Sequence, residues 1–134
     1  MNLDEICTRW TPRLLSVLRI IAALVILQFG FTKLFGFPYY EALSNQPVLS
    51  LYWCAGAIET IGGLLLLIGL FTRAAAFVLS GEMAFAYFID HAPHSLFPLQ
   101  NEGSLAVLFC FVFLYIAAAG GGPWSIDASR PRAA

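Results

Sequence analysis

Four unbroken apolar runs, over about residues 14–32, 48–71, 74–89 and 104–120, fill most of this chain. Crossing the hydrocarbon of a bilayer takes about 20 apolar residues per helix. A membrane β-barrel would alternate polar and apolar residues in pieces of about ten, and these runs do not alternate. A soluble chain of 134 residues must cover itself with polar groups, and about 25 % charge is ordinary. This one is 11 % charged and 60 % hydrophobic. The runs therefore predict an all-α fold, a transmembrane four-helix bundle forming one membrane domain over 1–134. With a net charge of −1 and no basic block, nucleic acid is excluded as a partner.

Local signals set the limits. Thr11 before Pro12 reads as a helix start, with a hydroxyl cap and then a residue whose missing N–H costs nothing there. Gly36 and Pro38 close the first span, Pro47 precedes the second, Pro93 follows the third, and Gly120, Gly121, Gly122 and Pro123 stop the fourth. The third and fourth are short, so they should stand upright or recruit flanking residues. The first is too long for a signal-peptide core and no A-x-A site follows it, so it is expected to stay uncleaved. Cys54 and Cys110 lie within apolar runs and read as buried small hydrophobes; with Cys7 the count is odd and no C-x-x-C occurs.

Lys and Arg counts orient the spans. Arg9, Arg13, Arg73, Arg130 and Arg132 fall on one side and Lys33 alone on the other. Both termini are then cytoplasmic in a cell membrane, the bacterial inner membrane, crossed several times. The polar tail beyond Trp124 reads as mobile, with Trp124 anchoring at the interface.

Charge at bilayer depth is costly, so it pairs or functions. Four charged residues lie in or at the ends of spans: Arg19, Lys33, Glu59 and Glu82. At 1.5 Å per residue, counted from the cytoplasmic ends, Arg19 lies about 10 Å deep and Glu82 about 12 Å, while Glu59 and Gln28 lie at about 20 and 24 Å. The matching depths predict an Arg19–Glu82 ion pair. Tyr52, Gly56, Glu59 and Gly63 share a helix face, where small residues permit close approach. Gly30 and Lys33 fall near Arg19 on the first helix, with Gln28 opposite. Lys33 reads as snorkelling to the interface. Arg19, Glu59 and Glu82, with Gln28, Lys33 and Tyr52, either hold the bundle together, line a polar cavity that binds a ligand or handles protons, or meet another membrane subunit. His91 and His94 are weak metal candidates that would need further ligands such as Asp90 or Glu102; otherwise no metal site is expected. Tyr39, Tyr40, Tyr52 and Trp53 form an interfacial aromatic belt.

The order and spacing of several short motifs resemble the DoxX family. These are an arginine, then Gly30-x-x-Lys33-Leu in the first span; Glu59-Thr-Ile-Gly62-Gly63 and Gly69-Leu-Phe-Thr-Arg73 in the second; and Gly81-Glu82-Met83 with Ala86-Tyr87 in the third. Phe97-Pro98, Asn101-Glu102-Gly103 and Trp124-Ser125-Ile126-Asp127 follow. The resemblance covers about residues 14–127 and implies a four-helix membrane bundle with both ends cytoplasmic. Related proteins include a small subunit of a thiosulfate:quinone oxidoreductase and members linked to oxidative-stress complexes, while many others have no established activity; with three ionisable residues at compatible depths, a redox-associated accessory subunit is the expected function. The family brings no universal catalytic motif, and none is visible here. The expected ligand is lipid-soluble, such as a quinone, in a polar intramembrane pocket. Expected partners are the lipid bilayer, a redox-enzyme subunit or a second copy of the chain. A non-enzymatic scaffold or assembly factor is the alternative, and a small transporter ranks last.

Overall fold

A computed structural model describes residues 1–131. Arg132, counted above toward orientation, lies outside the described residues. Every regular element among them is helical, so the chain is all-α. The elements are α1 (Leu3–Phe35), α2 (Leu51–Ile68), α3 (Thr72–Ala86), a π-helical turn (Tyr87–His91), α4 (Pro98–Asn101), α5 (Ser104–Ala119) and α6 (Ile126–Ser129).

The first helix begins well before Pro12. Asn2 Oδ1 accepts from the Glu5 N–H at 2.9 Å and Glu5 Oε2 from the Asn2 N–H at 3.1 Å, a reciprocal cap that satisfies two donors at once. It overrides the Thr11–Pro12 signal: Thr11 donates its hydroxyl to the Cys7 carbonyl at 2.7 Å, and Pro12 sits inside the helix. At the other limits the sequence signals hold closely. Ser50 caps α2, accepting from the Trp53 N–H at 3.2 Å, and Gly120 ends α5.

The four longer helices pack side by side, α1 on α2 and α3 on α5, with α2–α3 and α1–α5 contacts completing a ring. Ala23, Ile26, Leu66, Ala76, Leu79, Phe113 and Ile116 fill its centre. Ser80 ties α3 to α5 by donating to the Cys110 carbonyl at 2.7 Å. The outside is apolar, with Ile21, Leu24, Ile61, Phe77, Phe85 and Phe111 exposed, whereas Ser16, Arg19, Glu59, Thr72 and Ser80 are buried. That arrangement inverts a water-soluble protein and suits lipid. Both α1 and α2 are long and apolar enough to cross a membrane; α5 is apolar and shorter. Cys54 is exposed and Cys110 only partly covered, which corrects the expectation that both are buried. An apolar run does not distinguish an inner helix face from an outer one when the surroundings are themselves apolar.

Between α1 and α2 the backbones nearly touch. A Cβ on Gly30 would stand 2.8 Å from the Thr60 amide nitrogen, and one on Gly56 would stand 2.7 Å from Lys33 Cβ. Gly81 on α3 has nothing within 4 Å of the same position. Gly30→Val must therefore push α1 away from α2, and overpacking of this kind costs about 1–3 kcal/mol. Gly81→Val should change stability by no more than about 0.5 kcal/mol. Thermal unfolding of both variants in one detergent checks the contrast; equal losses would contradict the close approach.

Candidate functional site

Two groups of polar side chains sit at different levels of the molecule, and they do not pair as expected. Arg19, 1 % exposed, donates from Nη1 to the Gly121 carbonyl and from Nη2 to the Trp124 carbonyl, the latter at 2.7 Å. Ser16 beside it donates to the Gly121 carbonyl at 3.2 Å and accepts from the Trp124 N–H at 3.1 Å. Arg19 thus lies at the end of the helix ring where α2 stops, and the only ion pair among the described residues joins other partners. The expected Arg19–Glu82 pair fails because its depths were counted from Pro12, which lies inside α1. Glu82 is about 15 Å along α3 from Thr72, far from the level of Arg19.

The tail expected to be mobile is ordered as far as Ser129. Asp127 donates its N–H to the Gly69 carbonyl at 2.9 Å, and its carboxylate accepts from the N–H groups of Phe71 at 3.0 Å and Thr72 at 2.9 Å. The acid therefore sits on the positive end of α3, where a negative charge is stabilised. Gly69 has φ 71°, and a side chain there would run into Ser125 and the Arg19 guanidinium. Burial pushes the Asp127 carboxyl up, but the hydrogen bonds from Thr72 and Phe71 and the charge of Arg130 outweigh it and hold the carboxyl below its ordinary value of 3.8. A carboxyl lowered in the folded state adds stability above its unfolded pKa, and that stability is lost as pH falls through the folded value. Acid unfolding below about pH 4 should therefore carry an Asp127 contribution. In Asp127→Asn that part of the pH dependence should vanish, as unfolding midpoints measured from pH 6 down to pH 2.5 would reveal; a variant as acid-sensitive as the parent would contradict the cap.

The second group is built where α1 and α2 approach most closely. Lys33 Nζ donates to Glu59 Oε1 at 2.7 Å. Both residues are buried, Lys33 8 % and Glu59 1 % exposed. This corrects the expectation that Lys33 snorkels: the contact at Gly30 and Gly56 covers its stem and turns the ammonium inward. Glu82 on α3 lies within the electrostatic reach of both Lys33 and Glu59. Glu59 Oε2 and Glu82 Oε2 are buried with no hydrogen-bond partner.

Two openings meet at this cluster. One is a lateral groove of about 290 Å³ between α2 and α3, walled by Cys54, Ile58, Val78, Phe85 and Ile89, with Glu82 and Lys33 on its surface. The other is a cleft of about 320 Å³ that reaches Lys33 and Glu59 past Tyr40, Asp90, His91 and Glu102. Tyr52 and Asp90 line both, and the Tyr52 hydroxyl donates to Asp90 Oδ1 at 2.8 Å. The π-helical turn, closed by the Ala92 N–H on the Tyr87 carbonyl at 2.9 Å, carries Asp90 and His91 to this place. Such turns are frequent at functional sites.

Of the expected site residues, Lys33, Glu59, Glu82 and Tyr52 are gathered here, while Arg19 is at the opposite end. Gln28 is exposed on another face of α1, in a hollow with Thr32, Tyr39 and Tyr40. His91 Nδ1 hydrogen-bonds to the Asn101 carbonyl at 2.9 Å and its ring stacks on Tyr87. His94 is exposed, and among the described residues no three metal-ligating side chains gather. Sequence reasoning overlooked Asn101 as an organiser. Its side chain donates to Tyr87 Oη at 3.2 Å and the Ser95 carbonyl at 3.0 Å and accepts from the Gly103 N–H at 2.8 Å, fixing the loop that holds His91. The Lys33–Glu59 pair had a readable signal. Gly30-x-x-Lys33 and Gly56-x-x-Glu59 place a small residue and an opposite charge at the same spacing on two helices.

The family model described as DoxX matches residues 14–92. That stretch holds Lys33, Glu59 and Glu82 but ends before α4. An uncharacterized protein of Haemophilus influenzae is 40 % identical over 123 residues, covering 89 % of this chain and 92 % of that protein. No solved structure matches the chain.

Proposed function

This chain belongs to the DoxX family, and from that premise we propose that it crosses the bacterial inner membrane four times and binds a lipid-soluble ligand, a quinone, at Lys33, Glu59 and Glu82. The four crossings are α1, α2, α3 with the π-helical turn, and α5, with both termini cytoplasmic. Its place is that of an accessory subunit in a redox complex. The observation that carries the reading is the meeting of an apolar lateral groove with buried, unpartnered carboxylate oxygens and an ammonium. A flat apolar ring and its tail suit the groove walls. Lys33 can donate to an acceptor oxygen of the head group, and Glu59 and Glu82 can accept from its hydroxyls. Quinones supply the electron chemistry; the chain binds, orients and shields.

Lipid extraction of the purified protein, followed by titration with a short-chain quinone, tests the reading. Quinone should co-purify, and Glu82→Leu, which keeps the groove apolar, should weaken binding at least tenfold. An extract free of quinone together with no saturable binding would sink it and leave the Lys33–Glu59 pair as bundle glue.

A further inference from the structure

We propose that Glu59 and Glu82 hold one exchangeable proton between them and form a proton path from the end cleft to the lateral groove. One ammonium, Lys33, faces two carboxyl groups, Glu59 buried and Glu82 half-buried at the groove. Glu59 carries the ion pair through Oε1 and keeps Oε2 buried without a partner; Glu82 Oε2 is in the same state. Two ionised carboxylates beside a single cation would leave excess negative charge between apolar walls, Ile26 and Phe109 on the cleft side and Ile58 and Val78 on the groove side. Two carboxylates that share one cation in such surroundings do not both ionise, and one proton removes the excess. An oxygen that has no donor in the fold is also where such a proton can sit.

The surroundings give that proton a way in and a way out. On the cleft side, the cluster is faced by Asp90 and His91 from the π-helical turn, Glu102 from the loop before α5, and Tyr52 from α2. Asp90 already accepts from Tyr52, and these titratable groups line the same cleft as Glu59. On the groove side, Glu82, Lys33, Tyr52 and Asp90 interrupt an otherwise apolar wall. Glu59 belongs to the cleft and Glu82 to the groove, and Lys33, which lines both, stands between the two openings. A ligand head group in the groove then exchanges a proton with Glu82, and Glu59 restores it from the cleft. No electron moves in this step: an O–H bond breaks on one oxygen and forms on the next.

The identity of the groove ligand rests on the quinone reading above; the shared proton does not. The test is infrared difference spectroscopy on the full-length protein in lipid nanodiscs at neutral pH. The wild-type protein should show the carbonyl stretch of a protonated carboxylic acid that shifts when water is replaced by D2O. Glu82→Gln and Glu59→Gln should each abolish it. Adding decylubiquinol should then perturb the band in the wild-type protein. Absence of any protonated-carboxyl band at neutral pH, or a band that fails to shift in D2O, overturns the proposal whatever the two variants do. A band that exchanges with solvent and ignores decylubiquinol leaves the proton path standing and counts against quinone as the ligand.

Discussion

Replacing Glu59 with alanine should unfold this protein more readily than any other single change in the pocket, at a cost of about 3–5 kcal/mol. The ammonium of Lys33 would remain buried between α1 and α2 without the carboxylate that accepts its hydrogen bond, and Glu82 reaches it only from the groove side. It cannot escape easily, because Gly56 lies against its stem. Removing both charges is a different experiment. Lys33→Met with Glu59→Leu keeps roughly the same volume, and replacing a whole buried pair with apolar groups is often neutral or stabilising. The double variant should therefore recover most of the loss. A double-mutant cycle followed by thermal unfolding reads the coupling directly. If each single change is as mild as the double, the two charges contribute nothing to each other. Quinone titration of the double variant then separates structure from binding, since it should fold and yet lose the polar head-group site.

The second large effect is expected at Arg19. Arg19→Met removes a buried cation and leaves the Gly121 and Trp124 carbonyls without their charged donor. Hydrogen bonds to charged groups contribute about 1.5–3 kcal/mol each. A loss of about 3 kcal/mol is expected in all, part of the second bond being offset by water near the half-exposed Trp124. The loss should be local as well as global. Residues 120–127 are held by Ser16, Arg19 and the α2–α3 turn, so their backbone amides should exchange with D2O far faster in the variant. Unchanged exchange at Trp124 and Asp127 would refute the clamp.

Four apolar runs and four long helices correspond because apolar continuity and glycine or proline stops are local information. Gly120 and Ser50 end and begin helices by rules that act within a few residues. The start of α1 departs from the Thr11–Pro12 signal for the same reason: two local signals compete, and the Asn2–Glu5 cap satisfies more donors than Thr11 can. Partners were harder to read than positions. Depth along a helix follows from counting, but only from the correct starting residue, and an error there paired Arg19 with Glu82. The Asp127 cap spans 55 residues to Thr72, and nothing near Asp127 in the sequence announces it. Lys33 and Glu59 could have been matched through their shared glycine spacing, because close backbone approach is the one long-range contact that leaves a mark on both partners.

The Arg19 clamp also says something about when this protein becomes complete. Its carbonyl partners lie 102 and 105 residues further along the chain. Synthesis proceeds from the N-terminus, so the arginine leaves the ribosome long before Gly121 and Trp124 exist. Until α5 has been placed and its following turn folds back, the newborn chain carries a cation with no carbonyls to receive it. A message truncated before Gly121 would leave it in that condition permanently. The clamp therefore ties the first helix to one of the last segments made: the charge of Arg19 finds its carbonyl acceptors only once residues 121–124 have folded back onto it.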